Sequence, residues 1–346
     1  MARKSKVKRT KENRKQTGLK ICDFQFPGEK SSYWAGAAGV TVLFLLLAVI
    51  VFSTLKGAEG PQKFYIPLYV LAWPVAAVLL CNWMAAKPRQ EQLKKAGRQA
   101  RVMSNNNSDL YQVLVKQVNS LGLKTPPDLY LVNDPQPILY SLPGARGTII
   151  ASTSLREFMS PDEFEALIAH EITHIACKHV RMDLAQTFVR NSNPGLKILF
   201  FPILIMGLFS RAWCDLIEFT ADRGALLITL RPAVVNSAIV KFAVARDPNA
   251  GISREELQGY LDGSGDITTD AKQMERHFKV GQFMASQPGL RERIEQLTDF
   301  VNDDQGKAAL AKMAELQGVD LGTIVMHKKS ESDIEHVMED VEDRSM

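Results

Sequence analysis

Cysteine is nearly absent from this chain: four residues of 346, Cys22, Cys81, Cys177 and Cys214, lie far apart and in dissimilar surroundings. That is a poor match to a disulfide framework and to a CxxC metal knuckle, and it agrees with a reducing compartment. Histidine is also rare, at six copies, so histidines that fall close together are informative. Charge is missing altogether from two stretches, Trp34 to Leu55 (22 residues) and Phe64 to Ala86 (23 residues). Each exceeds the roughly 20 residues that a helix needs to cross the hydrocarbon layer, and the first is too long for a signal peptide. Both are expected to span a membrane, with Tyr33, Trp34, Phe64, Tyr65 and Trp83 near the interfaces. With 46% apolar residues overall, the remainder can fold around a core of its own.

What charge there is sits unevenly. Residues 1 to 30 hold ten Lys/Arg against three acids, while the whole chain carries a net charge of only +4. Lys87, Arg89, Lys94, Lys95, Arg98 and Arg101 follow the second apolar stretch, whereas the linker from Lys56 to Lys63 offers two lysines beside Glu59. So short a linker makes the spans a hairpin with both flanks on one side, and the positive-inside rule places that side in the cytoplasm. The lipid bilayer is therefore one expected partner. The basic tail has no aromatic interleaving before Phe24, and no nucleic-acid module is recognisable. It reads as a topology signal attracted to anionic lipid, and no nucleic acid is expected.

After "SNNNSD", the segment Leu110 to Leu121 shows mostly helical spacing. "DLYLV" (128–132) and "GTIIAS" (147–152) are short β-rich runs separated by Pro135, Pro137, Pro143 and Gly144. These predict a helix and then a small sheet. "SPDEFEALIAHEITHIACKH" opens with Ser160 as N-cap, Pro161 at the first helical position and Glu163 closing a capping box. Spacing beyond that point converts to angle. On a helix His170 and His174 lie about 40° apart and one turn along the axis, so their imidazoles can share one cation. Glu171 is placed to reach water at that cation rather than the cation itself. This is the HExxH arrangement, in which two neutral imidazoles bind Zn2+ and the carboxylate takes a proton from water. Random placement predicts on the order of 0.006 such patterns in a chain of this composition.

Two neighbours of the motif are set aside by the same geometry. If the helix continues, His179 falls about 180° from His170, a surface or second-layer position rather than a ligand. Cys177 returns to the ligand face but about 10.5 Å along the axis from His170, too far for one ion, and is expected to pack. A third ligand must come from elsewhere. "CDLIEFTADRGALL" (214–227) offers Glu218 and Asp222, four apart on one helical face, a spacing that exposed carboxylates also adopt without a metal.

HEITH followed by EFTAD resembles the HExxH and ExxxD motifs of the HtpX-type membrane zinc metalloproteases, relatives of the CAAX prenyl endopeptidase, with similarity from about residue 108 to 300. The resemblance implies that Glu218 is the third ligand of one Zn2+ per chain and that Asp222 orients a ligand histidine. It also implies that "SQPGLRERIEQL" (286–297) is the family's histidine-proline-to-arginine motif. Arg293 matches its arginine, but Gln287 stands where the family usually has histidine. Gln287 can still donate a hydrogen bond, or His277 can enter from elsewhere. The family's edge strand beside the metal would correspond to Gly147, Thr148, Ile149 and Ile150, along which an extended substrate pairs. The implied substrates are peptides or proteins, membrane proteins above all, cleaved in quality control. The implied compartment is a bacterial inner membrane, with both termini and the catalytic domain cytoplasmic.

The expected fold is mainly α with a small β-sheet (α+β): a transmembrane helical hairpin followed by a gluzincin-like HExxH domain. The expected divisions are a basic tail over 1–32, the hairpin over 33–86, the protease domain over 87–300, and a C-terminal helix with an acidic tail over 301–346. Within the third, "LKILFFPILIMGLF" (196–209) is too short for an ordinary crossing. A single span there would also put Glu218 across the membrane from His170, so the run is expected to face the membrane without crossing it. Two other readings stand beside endopeptidase activity. Prenyl-peptide processing is disfavoured by only two clear spans, and a non-catalytic membrane scaffold keeping the fold would be indifferent to Glu171→Gln.

Overall fold

In lipid a long apolar stretch can satisfy its backbone hydrogen bonds only as a helix. The computed structural model follows that rule: α1 (Glu29–Thr54) and α2 (Gln62–Ala96) pack together as a hairpin. Both are long and apolar enough to cross a membrane. Trp34, Val49, Leu68 and Leu79 on them are 60–69% exposed, an outward apolar surface suited to lipid rather than water. The structure describes residues 19–20, 23–57, 60–97, 100–103, 105–180, 185, 188–189, 192–209, 211–246 and 288–320. The tails before residue 19 and after residue 320 lie outside the described residues.

Beyond the hairpin come α3 (Ser108–Ser120), β1 (Asp128–Val132), β2 (Leu139–Leu142), β3 (Thr148–Ser152), α4 (Thr153–Phe158) and α5 (Pro161–Cys177). They are followed by α6 (Pro194–Leu199), α7 (Phe201–Phe209), α8 (Arg211–Thr229), α9 (Pro232–Arg246), α10 (Leu290–Asn302) and α11 (Asp304–Gln317). The fold is mainly helical with one small sheet.

The sheet has the order β1-β3-β2, with β1 parallel and β2 antiparallel to β3. This corrects the expectation for "GTIIAS". Thr148, Ile149 and Ile150 are paired on both sides, to β1 and to β2, so they cannot offer an edge to substrate. Gly147 just before them has φ of 77° and its Cβ would lie 2.7 Å from Ile175 of α5, which makes it a packing residue at a left-handed position. The edges are β1 and β2, and the one beside α5 is β2, "LYSL", hidden in the sequence between Pro137 and Pro143.

The central packing is that of α5 on α8. Ile168 and Ile172 of α5 and Leu226 and Leu227 of α8 are fully buried. The two helices approach closely at Gly224, where a Cβ would lie 2.3 Å from Thr173 Oγ1. The same core takes in Phe24 from before α1 and Met313 from α11. The boundaries expected at 32 and 301 therefore cut through packed structure. Arg223 of α8 lies between the rings of Phe26 and Phe300, 4.4 Å from each.

The third apolar run forms α6 and α7, and α7 packs on α1 and α2. Phe200 and Ile203 are buried with Ala77 and Cys81 of α2, while Ile198 is 75% exposed. The run packs on the hairpin.

Candidate metal centre

Helix α5 starts at a fixed register because its cap is complete. Ser160 Oγ accepts from the Glu163 N–H at 3.3 Å, and Glu163 Oε2 accepts from the Ser160 N–H at 3.0 Å. The same carboxylate holds Lys241 of α9 at 3.2 Å. With the register set, His170 and His174 face α8, where Glu218 and Asp222 project back.

Three ligand atoms converge. His170 Nε2 is 3.0 Å from His174 Nε2 and 3.6 Å from Glu218 Oε2, while His174 Nε2 is 3.5 Å from Glu218 Oε1. Zinc bonds of roughly 2.0–2.2 Å at tetrahedral angles set ligand atoms about 3.3 Å apart, so the spacing fits such an ion. Glu218 Oε2 is buried and makes no hydrogen bond, an expensive state unless positive charge compensates it. Among the described residues this is the group of histidine, cysteine and acidic side chains close enough to hold a metal. Cys177 is outside it, and burial pushes its thiol up, as suits a packing residue.

Each histidine is oriented from behind. His170 Nδ1 lies 2.9 Å from Asp222 Oδ1, so Nδ1 carries the proton and the Nε2 lone pair points inward. Asp222 is itself gripped by Arg293, which donates from Nε to Oδ2 at 2.8 Å and from Nη2 to Oδ1 at 2.6 Å. Arg293 thus acts through Asp222, with Nη1 3.7 Å from Glu218 Oε2. Burial disfavours a charged imidazole, yet Asp222 and Glu218 outweigh it and push His170 up to about 9. Burial takes His174 the other way, well below its ordinary value. Burial would raise the carboxyls, but His170 and His174 hold Glu218 low and Arg293 holds Asp222 low.

His179 is where the geometry departs from a continued helix. Lys178 ends α5 in a left-handed cap with φ of 65°, and the His179 N–H bonds back to the His174 carbonyl at 3.0 Å. The turn brings His179 beneath His174, Nδ1 to Nδ1 at 3.1 Å, and leaves it 2% exposed. It is a second-layer residue, and not on the far face. A lysine at positive φ is strained where glycine is not. Lys178→Gly is expected to raise stability by about 0.5–1 kcal/mol, read as a higher thermal midpoint.

Glu171 is 8% exposed, and the Ser141 hydroxyl of edge strand β2 donates to its carboxylate. Ser141 carries no signal in the sequence, because the strand that presents it was itself unmarked. Gln287 and His277 lie outside the described residues.

Comparison with known proteins follows this geometry. Residues 104–301, more than half of the chain, match the model of peptidase family M48. The plastoglobule-localized metallopeptidase 48 of the Arabidopsis thaliana chloroplast is 30% identical over 191 residues, 49% of this chain and 51% of that protein. A protease HtpX homolog from Moorella thermoacetica is 24% identical over 188 residues, 45% of this chain and 63% of its own length. Another from Sulfurovum sp. is 24% identical over 238 residues, 62% and 80%. The chain thus spans about half to two thirds of the length of the first two. No solved structure matches. On the strength of the match over 104–301, the chain belongs to peptidase family M48.

Proposed function

We propose that this chain is a membrane-anchored zinc endopeptidase, with His170, His174 and Glu218 as ligands and Glu171 as general base. The observation that carries the reading is the convergence of His174 Nε2 and of a Glu218 carboxylate oxygen that makes no hydrogen bond within 3.6 Å of His170 Nε2. Bound there, zinc would lower the pKa of water toward about 7 and polarise a carbonyl. Glu171 takes a proton from the attacking water on a carboxylate oxygen and delivers it to the nitrogen of the leaving amine. Ser141 holds that carboxylate in place through its hydroxyl. Arg293 and Asp222 keep the His170 ring turned inward.

An extended peptide would lie along the outer edge of β2, where main-chain pairing supplies affinity with little demand on side chains. A cavity of about 850 Å³ opens beside that strand's end, lined by Tyr33 and Trp34 of α1, Val78 and Leu79 of α2, Pro143 and Trp213. Its walls are shared by the hairpin and the domain, which favours substrates that arrive from the bilayer. Membrane proteins, cleaved on the cytoplasmic side of a bacterial inner membrane, are the substrate class proposed.

The test is metal content. Purified full-length protein in detergent should hold about one zinc per chain, and Glu218→Ala less than a tenth of that under the same dialysis. Wild-type protein that takes up no zinc on loading would overturn the assignment.

A further inference from the structure

His170 has a carboxylate behind it, as metal-bound histidines usually do. His174 has another histidine, and behind that a residue of the first transmembrane helix. His179 Nε2 lies 3.0 Å from Glu29 Oε1, and Glu29 is the first residue of α1. The Glu29 carboxylate is 4% exposed and fully occupied. Gln25 donates to Oε1 at 2.7 Å, and the Thr220 hydroxyl donates to Oε2. Thr220 in turn accepts the Phe26 N–H at 3.0 Å, and it stands on α8 between Glu218 and Asp222.

Proton positions along this row follow for a neutral His179. Glu29 only accepts, so that ring carries its proton on Nε2 and presents a lone pair at Nδ1. His174 must then carry its own proton on Nδ1, which leaves Nε2 as a lone pair aimed at His170 and Glu218. A buried carboxylate and imidazole, 150 residues apart in sequence, are costly compared with two packed apolar side chains. The strained Lys178 cap that delivers His179 adds to that cost. What the arrangement yields is one tautomer and one orientation of His174.

We propose that His179 and Glu29 are positioning residues for the metal ligand His174, and that through them the metal centre is registered against the membrane-proximal end of α1. The inference rests on the zinc reading above. It makes the hairpin more than a tether: α1 contributes the terminal acceptor of the row that aims a ligand.

Zinc affinity of the full-length protein, measured in detergent by competition with a chromophoric chelator after metal removal, tests it apart from any cleavage. His179→Leu should weaken zinc binding by about 10–100-fold. His179→Gln should recover most of the loss, because its amide oxygen can accept from His174 Nδ1 while its NH2 donates to Glu29. Glu29→Leu should weaken binding like His179→Leu, and the double variant should fall no further than the weaker single one, since one row is broken once. Thermal midpoints of the zinc-free proteins, read in parallel, show whether all variants are folded. Equal zinc affinity of wild type and His179→Leu overturns the proposal while leaving the zinc site standing. So does a His179→Gln protein as weak as His179→Leu, or additive losses in the double variant. A wild type that binds no zinc overturns the zinc reading itself, and this inference with it.

Discussion

Glu171→Gln protein is expected to keep its full complement of zinc while peptide-bond cleavage falls on the order of 10²–10⁴-fold. The change is nearly isosteric, and the amide oxygen can still accept the Ser141 hydroxyl that now holds the carboxylate. Ligation should survive, because Glu171 is not among the three atoms that converge. Proton transfer should not, because an amide has no basic oxygen to take a proton from water and return it to an amine. Cleavage of a reconstituted membrane protein and metal analysis of the same preparation read the two quantities side by side. A scaffold that merely keeps the fold would show no change in its binding role. Retained zinc together with wild-type cleavage would remove Glu171 from the chemistry.

Gly224→Ala is expected to cost about 1–3 kcal/mol of stability and to weaken zinc binding at the same time. The added Cβ would meet Thr173 at 2.3 Å from Oγ1, 2.4 Å from Cγ2 and 2.8 Å from Cβ. Thr173 is fully buried and its hydroxyl is committed to the Ala169 carbonyl at 2.9 Å, so it has nowhere to swing. The helices must part instead. Because α5 carries both histidines and α8 carries Glu218 and Asp222, a gap that relieves the clash also pulls the third ligand from the first two. Thr173→Ala removes two of the three close contacts and should restore part of both losses. Thermal unfolding and chelator competition on the single and double variants check this. A Gly224→Ala protein with unchanged midpoint and affinity would mean that the helix pair does not set the ligand spacing.

The parts of this site that could be read from the sequence are those fixed by local rules. The capping box of Ser160 and Glu163 is a four-residue pattern, and the angle between His170 and His174 follows from helix geometry alone. The hairpin was legible because lipid permits so few structures. Glu218 was a different case: spacing left it one carboxylate of a pair, and only the resemblance to a family motif singled it out. Strand β2 could not be seen, since four residues between prolines show no period, and with it went both the sheet edge and Ser141. His179 sits in the second layer, one of the two positions expected, but by a turn rather than by a continued helix. Lysine does not ordinarily end a helix in a left-handed cap, so nothing at Lys178 announced the turn. Its partner Glu29 is distant in sequence, and only the folded chain brings the two together.

Phe24 and Phe26 carry a practical consequence for anyone who wants the catalytic part in water. Trimming the chain to begin after the hairpin looks harmless on a hydropathy plot. It would open a hole in the principal core where Phe24 is fully buried, a loss of about 3–5 kcal/mol for a phenylalanine. It would also bare one face of the Arg223 guanidinium, which Phe26 covers opposite Phe300. A soluble fragment needs residues 19 to 28 grafted back, joined to the excised domain by a designed linker that replaces the two spans.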